Sequence, residues 1–276
     1  MTHLLENYGK RIPMTFTHGE GVYLYDQTGK QYLDFTSGIS VMNLGYSFEA
    51  GKAAVKAQVD AIPHLSNLYE NPLQEEVAAY LDYQGSYKAF FANSGAEANE
   101  AALKLARLLK PDTTILAFED GFHGRTFGAM SATMQDKIQK GFAPLVPGFT
   151  KAVYNDVASL SAAVTDKTGA IIFEIVQGEG GVTPITQAFS ESLKAFQKQG
   201  ILLIVDEVQT GNGRTGKLFG FEHFGLEPDI ITSAKGLGNG LPIGVMLAKA
   251  EYATAFSAGK HGSTFGGNPI AMASAK

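Results

Sequence analysis

An α/β fold built on a mainly parallel sheet with helices on both faces follows from three features of this 276-residue sequence. Aliphatic runs such as Ala170 to Ile175 and Ile201 to Val205 lack the polar alternation of a half-exposed strand and suit strands covered on both faces. These runs alternate with stretches of helical character, the pattern of βαβ construction. Polar and glycine-rich clusters fall just past the runs, at the carboxyl ends of strands, which is the ligand-binding edge of an open α/β sheet.

In chain order, Gly21 to Tyr25, the turn Asp26 to Gly29 and Gln31 to Phe35 predict a β-hairpin, because strand formers flank a polar turn that ends in glycine. A helix is expected from Glu49 to Asp60, stopped ahead of Pro63, and another from Pro72 to Tyr83. Lys88 to Ala92 reads as a strand running into a helix opened at Gly95, with Ser94 and Glu97 spaced as a capping box. Thr113 to Phe118 is a strand, followed by a short helical stretch near Gly128. Ala152 to Tyr154, Ala170 to Ile175, Ile201 to Val205, Ile230 to Thr232 and Gly244 to Ala248 continue the strands. Helices from Val157 and over Ala188 to Gln199 lie between them.

With 45% hydrophobic and 18% charged residues, the chain can bury the core of one large domain plus part of another. A formal net charge of −5 offers no basic footprint for nucleic acid. The absence of cysteine excludes disulfides and cysteine-ligated metals and suits a reducing cytoplasm. No apolar run approaches the ~18 residues of a membrane helix, and nothing reads as a signal peptide. A soluble cytoplasmic protein is the expectation, with no metal site.

The chemistry concentrates at strand ends. Asp206 follows Ile201 to Val205, and Lys235 follows Asp229 to Ser233. A lysine able to form a Schiff base, with a carboxylate able to keep a heteroaromatic nitrogen protonated, is the minimum equipment for pyridoxal phosphate chemistry. Taken alone, the pair reads equally well as strand-end charges facing water. The helix opened by Gly95 and Ala96 aims free N–H groups at an anion, although by itself it is also a capped helix without a ligand. Phe122 suits stacking on a planar ring and Arg125 offers a fork for a carboxylate, while singly they read as a core residue and a surface ion pair. His123 is expected to be a loop or capping histidine. The segment Gly211 to Gly216 matches G-x-G-x-x-G and much of a P-loop. Both readings fail, because no strand-to-helix turn frames the glycines and Leu218 stands where a P-loop needs Ser or Thr.

Six segments in order resemble the signatures of class III (ω-amino) pyridoxal-phosphate-dependent aminotransferases: 93–100, 122–126, 177–182, 205–216, 234–240 and 262–269. Within that class they look most like the acetylornithine branch of arginine biosynthesis. The resemblance implies the fold type I class of pyridoxal-phosphate-dependent transferases, with a seven-stranded sheet and part of a small α+β domain. It implies that Lys235 carries the cofactor and Asp206 pairs with the pyridine nitrogen. Ser94, Gly95 and Ala96 take the phosphate, Phe122 stacks on the ring and Gln209 lies by the ring hydroxyl. On the same resemblance, Arg125 holds the α-carboxylate of the amino donor, with Ser263 near the phosphate cup. Glu179 acts as a gatekeeper, and Thr264 from the neighbouring subunit of a homodimer completes the cup. The implied partners are a small-molecule ω-amino donor and 2-oxoglutarate, with no nucleic acid and no membrane. Ornithine, succinylornithine or 4-aminobutyrate as donor, an aminomutase, and a catalytically inactive fragment are the competing readings.

Two departures accompany the resemblance. Ile175 follows Glu174 where most relatives carry proline. Relatives also continue for roughly a domain past the position of Lys276. The expected organisation is therefore an N-terminal hairpin segment over 1–50, a large cofactor domain over 51–265, and over 266–276 the start of a helix leading to a small C-terminal domain absent from this chain.

Overall fold

The computed structural model describes residues 3–276, so Met1 and Thr2 of the expected 1–50 segment lie outside the described residues. The chain opens on an antiparallel sheet of β1 (Phe16–Glu20), β2 (Tyr23–Asp26) and β3 (Gln31–Leu33). The β2–β3 hairpin is the expected one, and Asp26 closes its turn by accepting from the N–H groups of Thr28 (2.8 Å) and Lys30 (3.1 Å). β1 adds a strand that its polar sequence hides. The expected run to Phe35 stops at Leu33, because the Asp34 carboxylate accepts from the N–H groups of Thr36 (2.9 Å) and Ser37 (3.0 Å) and turns the chain.

The one-turn helix α1 (Ser37–Ser40) that follows is wound left-handed, with φ of 43°, 67°, 66° and 60° from Ser37 to Ser40. Each non-glycine residue held so costs roughly 1–2 kcal/mol. Nothing in the sequence apart from Gly38 announces this turn. Helix α2 (Glu49–Ala61) matches expectation. Helix α3 (Pro72–Leu81) starts as expected, with Asn71 accepting from Leu73 N–H (3.1 Å) and Pro72 in its first turn. It ends two residues short of the expected Tyr83, because Asp82 turns to accept from Tyr87 N–H (2.7 Å).

The large sheet then forms in βα alternation: β4 (Tyr87–Ala92), α4 (Gly95–Leu109), β5 (Thr114–Phe118), α5 (Phe127–Ala132), α6 (Asp136–Gln139), β6 (Phe149–Ala152), α7 (Val157–Ala163) and β7 (Thr168–Glu174). After the short pair β8 (Val176–Gln177) and β9 (Thr183–Pro184) come α8 (Gln187–Gln197), β10 (Leu202–Asp206), β11 (Ile230–Ala234), β12 (Gly244–Lys249) and α9 (Pro269–Ala275). The seven-stranded order is β4-β12-β11-β10-β7-β5-β6, and only β12 runs antiparallel to its neighbours. This is the expected mainly parallel sheet.

Successive residues of each strand feed opposite cores. Leu116, Phe173, Leu203 and Ile231 pack with Phe189 and Leu193 of α8 on one face. Ile115, Ile172, Ile204 and Ile230 pack with Ala101 and Leu105 of α4 on the other. Burial on both faces is why these strands read as continuous aliphatic runs. The strand expected at Ala152–Tyr154 is corrected to Phe149–Ala152. Beyond Ala152, Val153 N–H donates to Ser159 Oγ (2.9 Å) and Asp156 caps α7 through Ser159 N–H (2.9 Å), so the chain leaves the sheet.

Phe173, 1% exposed in the central layer, sets the scale of this packing. Phe173→Ala is expected to lose about 3–5 kcal/mol in urea denaturation, whereas Phe127→Ala should change stability by about 0.5 kcal/mol or less. Phe127 is 56% exposed. Equal losses would show that the sheet interior is not the stabilising core.

Candidate active site

β10 and β11 are adjacent and parallel, so Asp206, the last residue of one, and Lys235, just past the other, emerge at the same sheet edge. β4 exits at that edge too and turns through Ser94 into α4. A cavity of about 450 Å³ joins them. Its walls include Ser94, Gly95 and Ala96 at the start of α4, Phe122 and Arg125 from the loop after β5, and Glu179 from the β8–β9 turn. Asp206, Gln209 and Lys235 complete it. These nine expected residues come from five separate stretches of chain.

At the start of α4 half of the expected capping box forms: Glu97 N–H donates to Ser94 Oγ (3.2 Å), but the Glu97 carboxylate reaches one residue further back and accepts from Asn93 N–H (2.5 Å) instead of from Ser94 N–H. Gly95 and Ala96 keep first-turn N–H groups that have no partner within the helix. A Cβ on Gly95 would stand 2.6 Å from the Val208 side chain, so only glycine lets the two come this close. Lys235 sits at φ 46°, a left-handed conformation that costs a non-glycine residue of order 1 kcal/mol or more. Asn43 packs on the neighbouring Gly236, where a Cβ would lie 2.2 Å from its Nδ2. Burial pushes the Lys235 amine below its usual range, and the carboxylates of Asp206, Glu179 and Glu174 oppose that shift without reversing it.

Asp206 is 4% exposed and accepts three hydrogen bonds, which leaves room on Oδ1 for one more. Its Oδ2 accepts from Asn99 Nδ2 (2.8 Å) and from His123 Nδ1 (2.7 Å), and its Oδ1 accepts from Val208 N–H (3.0 Å). A carboxylate only accepts, so Nδ1 of His123 carries the proton. Burial alone would lower the His123 pKa, yet the hydrogen bond and charge of Asp206 win and raise it. His123 does stand on a loop, as expected, between β5 and α5, but it is there as a buried partner of Asp206 and not as a helix cap. Asn99, which also donates to His123 O (2.7 Å), and Thr232, which donates to Asn99 Oδ1 (2.7 Å), extend the network. Asn99 sits four residues into α4, on the face that carries Gly95, and that spacing was the signal available for it.

Glu174 also lines the cavity and accepts from Phe122 N–H (3.0 Å). Burial, with the nearby Asp206 charge, pushes its carboxyl up to about 7, although His123 and backbone N–H groups pull the other way. Ser263 and Thr264 are not brought into the cavity of their own chain. They line two neighbouring cavities of about 950 and 420 Å³, and Ser263 Oγ accepts from Asn93 Nδ2 (3.1 Å). The rejected glycine motif folds as a tight loop, with Asn212 N–H donating to Leu218 O (2.7 Å) and Gly213 N–H to Lys217 O (3.1 Å).

An anion-receptive helix end, a buried carboxylate and a desolvated lysine amine around a cavity of this volume fit a phosphorylated pyridine aldehyde. The sequence model of the family described as Aminotransferase class-III matches residues 5–276. The chain belongs to that family. It is 68% identical to the acetylornithine aminotransferase of Lactococcus lactis subsp. lactis (strain IL1403), over 100% of this chain and 73% of that protein. It is 55% identical to the acetylornithine aminotransferase of Streptococcus mutans serotype c, over 99% of this chain and 72% of the relative. Its structure is similar to that of the ornithine aminotransferase from Toxoplasma gondii ME49, with a TM-score of 0.93 at 31% identity, covering 99% of this chain and 67% of that one. Membership makes this chain a pyridoxal-phosphate-dependent aminotransferase, which uses an amino donor and a 2-oxo acid. Among the described residues no helix is long and apolar enough to cross a membrane, and no group of three or more acidic, histidine or cysteine side chains could hold a metal ion.

Glu207, beside Asp206, points away from the cavity, accepting from the N–H groups of Gly220 (2.9 Å) and Phe221 (2.8 Å). Burial pushes it from 4.5 to about 7. The folded chain therefore holds more protons than the unfolded one between those values, so this contribution to stability is full below pH 4.5 and is lost as pH rises to about 7. Glu174 acts with the same sign. Unfolding free energies measured across this window should fall with rising pH in the parent chain and fall less steeply in Glu207→Gln. An unchanged slope would refute the assignment.

Proposed function

We propose that this aminotransferase moves the ω-amino group of N-acetylornithine to 2-oxoglutarate, with pyridoxal phosphate carried on Lys235. The observation that carries the reading is the convergence of the Lys235 amine, the Asp206 carboxylate and the start of α4 on one cavity. The names of the relatives at 68% and 55% identity support the donor.

Bound pyridoxal phosphate supplies a carbonyl carbon that takes up an amino group and a conjugated ring that accepts the electrons of a breaking C–H bond. The residues of this chain do the rest. The N–H groups of Gly95 and Ala96 hold the phosphate at the positive end of α4, with Ser94 beside them. Phe122 would stack on the ring and Gln209 would hold its hydroxyl, both lining the same cavity. Asp206 keeps a proton on the ring nitrogen, and His123 and Asn99 fix the direction in which its carboxylate points. Lys235 Nζ, its basicity lowered by burial, removes the proton from the carbon that bears the donor's amine. Arg125 forks onto the donor's α-carboxylate, and Glu179 screens the cavity until a dicarboxylate arrives. Thr264 of a second copy reaches the phosphate, with Ser263 next to it, which accords with both residues standing outside their own chain's cavity.

Three measurements test this. In a coupled assay with 2-oxoglutarate, N-acetylornithine should give the highest kcat/KM among ornithine, succinylornithine and 4-aminobutyrate, and a higher value for ornithine would overturn the donor assignment. Borohydride treatment of the cofactor-loaded chain should label the peptide containing Lys235, with neither label nor transamination in Lys235→Ala. Label on any other lysine would refute the anchor. Asp206→Asn should retain the label while slowing the proton-transfer step by about 10²-fold or more. A near-normal single-turnover rate would sink its role.

A further inference from the structure

One turn of α4 grips the loop that carries Arg125 from both sides of that residue. Before Arg125, the backbone of Gly124 lies so close to α4 that a Cβ there would stand 2.8 Å from Ala96 Cβ, and His123 O accepts from Asn99 Nδ2 at 2.7 Å. After Arg125, Thr126 Oγ1 donates to Glu100 Oε1 (2.5 Å) and Ala129 N–H donates to the same oxygen (3.0 Å). Gly128 passes so near that a Cβ would come within 2.3 Å of Glu100 Oε2.

Thr126 is the N-cap residue of α5, yet its side chain accepts no capping hydrogen bond. Glu100 does that work from another helix, satisfying a first-turn N–H and placing a negative charge at the positive end of α5. Ala96, Asn99 and Glu100 are spaced at i, i+3 and i+4, one face of α4. Arg125 itself is exposed and has no ion pair among the described residues, its nearest ring being Phe122 with the guanidinium carbon 5.7 Å from the centroid. Its direction is therefore set by the backbone on either side.

We infer that Glu100 is a positioning residue for donor recognition: by clamping Thr126 and Ala129 to α4, it aims the Arg125 guanidinium at the donor's α-carboxylate. The inference rests on the reading of Arg125 given above. A guanidinium displaced by about an ångström loses a two-point contact, which weakens donor binding and leaves the chemical step of a donor without a carboxylate alone.

The test uses the cofactor-loaded chain and two donors that differ only in the carboxylate, N-acetylornithine and N-acetylputrescine. Glu100→Ala should raise KM for N-acetylornithine by about tenfold with kcat within about twofold, and leave kcat/KM for N-acetylputrescine within about twofold. The dissociation constant of N-acetylnorvaline, which keeps the carboxylate and lacks the reacting amine, should rise by a similar factor in calorimetry. Glu100→Gln, which retains an acceptor oxygen for both donors, should restore nearly parental values. In an Arg125→Lys background, Glu100→Ala should add no further loss. If Glu100→Ala does not fold, Thr126→Val removes the hydroxyl and should show the same split at smaller size. Loss on both donors alike, or on neither, overturns the role of Glu100 provided that Arg125→Lys alone discriminates the two donors. If Arg125→Lys fails to discriminate them, the reading of Arg125 falls first and takes the inference with it.

Discussion

A carboxylate buried as deeply as Asp206 is tolerated only if hydrogen bonds compensate for its lost water, and that demand organises this edge of the sheet. Its partners come from α4 (Asn99), from the loop after β5 (His123) and from its own strand exit (Val208 N–H). Asn99 in turn is held by Thr232 on β11. Removing any one partner leaves a charge or a polar group without compensation in a low-dielectric interior, so the four segments hold a common arrangement. That end of the site is held in place for this reason, and Lys235, one strand along at the exit of β11, inherits a fixed distance to it.

The two further buried carboxylates divide the remaining work. Glu174 ties the backbone of Phe122 to the end of β7, at the base of the β8–β9 turn that carries Glu179. Glu207 holds the turn that begins at Gly220 and so closes the long excursion between β10 and β11. Burial pushes both acids up to about 7, so each is only partly ionised near neutrality. They serve as cross-links between loops.

Much of this was legible in the sequence, and the reasons differ from residue to residue. The sheet strands announced themselves because two-sided burial removes polar alternation, and Ser94 with Glu97 announced the helix because capping uses local chemistry. Asp206, Lys235, Gly95, Ala96, Phe122, Arg125, Gln209 and Glu179 could be singled out because each stands at a strand exit inside a recognisable motif. His123 was misjudged because its partner lies 83 residues away in sequence, and no local pattern reports such a contact. The left-handed turn at Ser37–Ser40 and the strand β1 were missed for a different cause: their partners are close in sequence, but the turn is marked by little more than Gly38 and β1 has a polar sequence without apolar alternation. The end of β6 was misplaced because Val153 and Tyr154 are as apolar as the strand they follow, and side-chain hydrogen bonds decide where pairing stops.

The antiparallel strand β12 has a consequence in time. It is the last strand of the large sheet in the chain, and it pairs with the first, Gly244 opposite Ala92 and Lys249 opposite Tyr87. During synthesis from the amino end, β4 and α4 leave the ribosome long before the strand that fastens them to β11 exists. β4 and the strand that leads into Lys235 are thus joined within the sheet only once its last strand is in place. The closing of this most distant strand pair therefore has to follow the synthesis of every other strand of the large sheet.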